Sequence, residues 1–214
     1  MRTTVQRLLD SFREILASSD LAAQGRAGSA DQPIPDMADL AELFAGMFGM
    51  LCPPSLQPGL ILPDMVSVTW EHDREVSGEV QISNLLGSMH RVLDESLHAV
   101  IVDGHQLGDM RIADAVLDTA GPLHTLFEVR DNMIFEQLFL FDSRELGRID
   151  LTYDAYLDMA AATRGIAYWQ YLFVDRRVTP TVAQVLSAEL AFLESRFPAA
   201  EHGLLRERLR ERCG

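Results

Sequence analysis

The stretch from residue 98 to residue 173 constrains this chain more than any other, because strand-patterned runs follow one another there through connections too short for parallel crossovers. The runs are 98–103 (HAVIVD), 110–117 (MRIADAVL) and 123–141 (LHTLFEV, then MIFEQLFLF), separated by Gly104, Gly108-Asp109, Gly121-Pro122 and Asp131-Asn132. Those separators are turn chemistry: glycine supplies positive φ, proline presets φ, and Asp or Asn bonds its own backbone. After them, 151–166 (LTYDAYLDMAAATRGI) switches to helical spacing and runs into the aromatic segment 167–174 (AYWQYLFV). The pattern predicts an α+β fold, an antiparallel or mixed twisted sheet from residues 65 to 141 packed by helices.

The flanks fit that frame. Val5, Leu8, Leu9, Phe12, Ile15 and Leu16 recur at helical steps, so 4–18 reads as an amphipathic helix standing as an appendage. Residues 19–35 are small, polar and Gly/Pro-bearing, and read as a linker. Asp36 is an N-cap for a helix to residue 52, which Pro53-Pro54 ends. Strands follow at 66–70 and 78–83, then a loop with a short helix at 84–95. Thr179-Pro180 opens a late helix, Pro198 interrupts it, and an Arg-rich helix reaches 212. The expected organisation is therefore an N-terminal helix (1–18), a linker (19–35), an α+β domain (36–174) and a helical extension (175–214).

Charge narrows the function. The net charge is −14, from 32 acids against 18 bases, and every base is arginine. A chain without lysine has no Schiff base, phosphate-loop lysine or lysine general base. Its acidity argues against nucleic acid and anionic membrane as partners and favours a basic protein. Cys52 and Cys213 make no disulfide framework and fit reduced thiols in a cytoplasmic protein. The sequence 1–16 lacks the apolar centre of a signal peptide, and no run is long enough to span a membrane.

Catalytic signatures are missing. His72 with Asp73, His98 with Asp103 and His105 with Asp109 are two-ligand pairs, whereas zinc needs three or four convergent groups. No serine sits in a Gly-x-Ser-x-Gly turn, and no glycine-rich phosphate loop occurs. The expectation is a non-enzyme without metal or cofactor; a metal-dependent hydrolase is the alternative if His98, His105, Asp103 and Asp109 converge. Tyr153, Tyr156, Tyr168, Trp169, Tyr171 and Phe173 concentrate aromatics where the last helix closes on the sheet.

The chain resembles the SUKH superfamily, the SMI/KNR-type domain. Residues 51–56 (LCPPSL) look like its Leu-Pro-x-Ser/Asp-Tyr/Leu motif, Gly108-Asp109 like its Gly-Asp step before a strand, and 151–157 (LTYDAYL) like its Ser/Thr-Phe-x-x-Phe/Tyr-Leu helix. Residues 165–170 (GIAYWQ) resemble the end of many such domains, so the resemblance covers 36 to about 174. After Leu56 the chain departs from the family, with Gln57-Pro58-Gly59-Leu60 in place of an aromatic helix ending in Asn-Gly. What the resemblance implies is an α+β binding domain without catalytic residues. Bacterial members are commonly immunity proteins that neutralise a cognate toxin, and eukaryotic relatives are regulatory adaptors or scaffolds. For a basic toxin, Asp103, Asp109, Asp114 and Asp118 are the expected contacting acids, because turns and strand ends expose carboxylates the core cannot accept.

Overall fold

The computed structural model describes residues 3–28, 36–63, 65–118, 121–142, 145–198 and 201–213, without the side chains of residues 117, 118 and 121. Its centre is an antiparallel sheet of seven strands: β1 (Gln24–Arg26), β2 (Met65–His72), β3 (Val76–Ser83), β6 (Met110–Asp118), β7 (Gly121–Arg130), β8 (Met133–Asp142) and β9 (Glu145–Ile149), hydrogen-bonded in that order. A separate ribbon of β4 (Ile101–Val102) and β5 (His105–Gln106) lies between β3 and β6 in the chain. Two tight hairpins turn on paired left-handed residues, Asp103-Gly104 (φ 51° and 86°) and Asp131-Asn132 (φ 53° and 58°), which match the twist of the strands they join. The protein is thus α+β.

Alternation in β2 buries Val66, Val68 and Trp70 on one face, opposite Ile82, Val80 and Gly78 of β3. Glycine is needed at 78, since a Cβ there would stand 2.3 Å from Trp70 Nε1. That indole N–H donates to Arg164 O at 2.8 Å and ties the hairpin to the helix layer. This layer comprises α1 (Thr4–Ala17), α4 (Tyr153–Thr163), α5 (Pro180–Arg196) and α6 (His202–Cys213). One apolar cluster runs from Phe12 of α1 through Trp70, Leu157 and Trp169 to Leu205 of α6. A smaller cluster, with Leu107, Met110, Leu126 and Phe139, lies beneath the segment 93–107.

Several expectations change at this level. Helix α1 shares the main core, with Leu8, Phe12 and Ile15 at 0% exposure, because its stripe lies along α4. The described part of the 19–35 segment is structured: Gln24–Arg26 pair with Thr69–Ser67 as the edge of the sheet. Residues 29–35 lie outside the described residues. The apolar run 98–103 is a turn plus the two-residue strand β4, and Ile101 is exposed. The second helix, α2 (Met37–Phe48), stops early because Gly49 caps it at φ 68°, and the short helix expected within 84–95 is the single turn α3 (Leu85–Ser88). Arg164 at φ 51° ends α4 likewise, so 169–173 is a separate 3-10 turn.

Candidate functional site

Between β3 and β6 the sheet is nearly split. Their ladder has the single pair Ile82↔Asp114, and the register of β6 against β7 shifts between Ile112 and Asp114. That bulge turns Asp114 into the protein, where it is 1% exposed. One carboxylate oxygen accepts Gln81 N–H at 3.1 Å. The other accepts the Tyr156 hydroxyl at 2.5 Å and Gln170 Nε2 at 3.5 Å, while Thr125 Oγ1 lies 2.8 Å from the same phenol. Arg91, which donates to Gln81 O and Ser83 Oγ, is the nearby cation. Burial pushes the Asp114 carboxyl above the usual range, against the pull of those donors. It also pushes the Tyr156 hydroxyl well above its ordinary value, aided by the neighbouring carboxylate. Asp114 therefore replaces missing strand pairing and bolts β3, β6 and α4 together. It cannot meet a partner, which corrects the expectation for this residue: the bulge, invisible in the alternation, carries it inward.

The other acids are scattered. Asp103 is exposed in the β4–β5 turn, and Asp109 is half-buried before β6. Asp118 ends β6, and its side chain is outside the described part. His98 Nε2 lies 2.9 Å from Leu93 O, and His105 Nδ1 lies 3.1 Å from Glu128 Oε2. Among the described residues no three His, Cys, Asp or Glu side chains gather as a metal site, so the hydrolase constellation of His98, His105, Asp103 and Asp109 is not formed. Cys52 is buried, which pushes its thiol up to about 12.

Beyond the single β3–β6 pair the strands part, and the segment after α4 fills the gap. Glu79 N–H donates to Gly165 O at 2.8 Å, and Gly78 bridges Ile166. At the mouth lies a cleft of about 390 Å³ whose wall includes Thr69, Glu71, Ser77, Glu79, Val116 and Tyr168. A neighbouring depression of about 320 Å³ shares Leu123 and Tyr168 with it and adds Asp142, Glu145 and Arg176. Tyr168 stands where the two meet. Its φ of 63° is left-handed, a conformation that costs a bulky residue about 1–3 kcal/mol. The fully buried Trp169 and the Tyr171 N–H, which donates to Tyr168 O at 3.0 Å, hold it there.

Glu71 and Glu79, whose Oε1 accepts Gln81 Nε2 at 3.2 Å, line the cleft with Tyr168, and carboxylates with a phenol ring in one cleft suit a cation, above all a guanidinium that can bond one and stack on the other. Glu71 and Glu79 sit on the solvent face of an alternating hairpin, the one signal in the sequence that could have placed them. Tyr168 belongs to the GIAYWQ segment, but nothing in the residue types announces its backbone. Compared with protein-family models, curated proteins and solved structures, the chain finds no match.

Proposed function

We propose that this chain is a non-catalytic protein-binding module of SUKH type, an immunity protein that binds and neutralises a basic cognate toxin in the cytoplasm. The observation that carries the reading is the acidic cleft at the split of the sheet, with a strained Tyr168 at its lip. Strain of this kind persists where the surroundings over-determine it, and such places are enriched in binding sites. Of the residues that carry the resemblance, Gly108-Asp109 precede β6, Thr152 caps the LTYDAYL helix, and Ala167 and Tyr168 of GIAYWQ line the cleft. A net charge of −14 adds long-range attraction for a basic partner.

The test is co-expression with a basic toxin domain encoded beside this chain, followed by calorimetry of the purified pair. The wild type protects cells and binds, and the double variant Glu71→Gln/Glu79→Gln loses at least about tenfold in affinity, as expected when one side of a desolvated charge pair is removed. Unchanged affinity in the double variant removes the cleft from the account. A wild type that neither binds nor protects removes the immunity reading and leaves the regulatory adaptor.

A further inference from the structure

Helix α2 packs on the core through Phe44 and the partly buried Met37, Leu40, Ala41 and Phe48, and it leaves large apolar side chains in water. Of its residues only Phe44 is fully buried, its ring tilted against Phe48 at 4.9 Å between ring centres; Phe48 in turn meets the His90 ring at 5.5 Å. Leu43 and Met47, one turn apart, are 50% and 54% exposed, and Leu51, just beyond the Gly49 cap, is 82% exposed. Scattered apolar residues on a surface need no explanation, but three large ones in nine residues form a patch.

The exposed charged residues on or next to α2 carry one sign: Asp36, Asp39 and Glu42. A second copy of this chain would bring the same acids face to face, and an anionic lipid surface would be repelled. What complements exposed apolar side chains on an acidic helix is an apolar stripe flanked by bases.

We propose that the Leu43–Met47 face of α2, together with Leu51 just beyond its cap, is a docking surface for a cationic amphipathic helix of a protein partner, separate from the cleft beside Tyr168. The anchors enter as leucine-like side chains spaced at helical intervals, and Arg or Lys residues flank them opposite Asp39 and Glu42. The inference rests on the reading of the chain as a module for a basic protein, and it adds a second contact to that reading.

The probe is a fluorescein-labelled synthetic helix with leucines at i, i+3, i+4 and i+7 and arginines elsewhere, together with a scrambled peptide of the same composition. Fluorescence anisotropy with the full chain is expected to show saturable binding of the amphipathic peptide, at least about tenfold tighter than the scrambled one. Leu43→Glu/Met47→Glu, at exposed positions that leave the circular dichroism unchanged, removes that preference, whereas Glu71→Gln/Glu79→Gln retains it. Equal binding of both peptides, or a preference that survives the α2 substitutions, overturns the proposal. So does concentration-dependent dimerisation abolished by Leu43→Glu/Met47→Glu, which would assign the face to a second copy. Loss of the preference in the cleft variant alone would place the peptide in the cleft and overturn this proposal without touching the cleft reading.

Discussion

Replacing Asp114 by alanine should be among the most costly single changes in this protein. The carboxylate is the acceptor for the Gln81 N–H and the Tyr156 hydroxyl, both at the place where β3 and β6 share one bridge. Removing it leaves the buried Gln81 N–H without an acceptor, at about 1–3 kcal/mol, takes a bond of about 1–3 kcal/mol from the Tyr156 hydroxyl, which is left to Thr125 Oγ1, and leaves Arg91 without its counter-charge. The expected loss is about 2–6 kcal/mol, against a typical total stability of about 5–15 kcal/mol. Urea unfolding followed by tryptophan fluorescence is a direct assay, because Trp169 packs 4.8 Å from the Tyr156 ring. With an m-value of about 2 kcal/mol per molar, the midpoint falls by about 1–3 M. Asp114→Asn is the control: its amide oxygen still accepts Gln81 N–H, so it should cost clearly less at neutral pH. The control also has a pH signature. Burial raises the Asp114 carboxyl, so the wild type loses stability as pH climbs from about 3.8 through the raised value, and the asparagine variant lacks that loss. An alanine variant within about 1 kcal/mol of wild type would refute the claim that Asp114 stands in for strand pairing.

Glu189 of α5 gives a second pH test: burial raises its carboxyl from 4.5 to about 7, opposed by the Ser77 N–H at 3.4 Å. Its ionisation opposes folding, so stability is full below about 4.5 and falls as pH rises towards about 7, by about 3 kcal/mol in all. Glu189→Gln should flatten that slope in unfolding curves taken from pH 5 to pH 8, and an unchanged slope would count against it. Gly78→Ala forces a methyl within 2.3 Å of Trp70 Nε1 and should cost about 1–3 kcal/mol, with a shift in indole fluorescence as the bond to Arg164 O is disturbed. A silent Gly78→Ala would mean the hairpin can move away from α4 freely.

Helix starts were legible because caps are local chemistry. Asp36 and Thr179, the two openings expected from residue type, each accept a backbone N–H in the first turn of their helices, and Thr3 and Thr152 do the same. Strands β2, β3, β6, β7 and β8 followed from alternation and turn residues. Strand β9 did not, because five residues in ELGRI carry too little pattern. The run 98–103 misled for the opposite reason: it has strand composition, but Ile101 faces water and the Asp103-Gly104 turn makes only a two-residue ribbon. At the site the decisive features are positional. A bulge buries Asp114, a left-handed backbone fixes Tyr168, and the parting of β3 from β6 opens the cleft between Glu79 and Val116. None of these is a property of a residue type, so the sequence pointed to an aspartate, Asp114, that the fold buries.

The central claim is that negative potential around the cleft draws in and holds a basic protein, and association kinetics test it most directly. With a candidate basic toxin domain as ligand, the association rate should be measured by stopped flow from about 0.05 to about 0.5 M salt, over which the screening length shrinks roughly threefold. The account predicts a rate that falls steeply with salt, and a shallower fall for Glu71→Gln/Glu79→Gln. A rate that stays flat across that range, or one equally steep in wild type and variant, would contradict it.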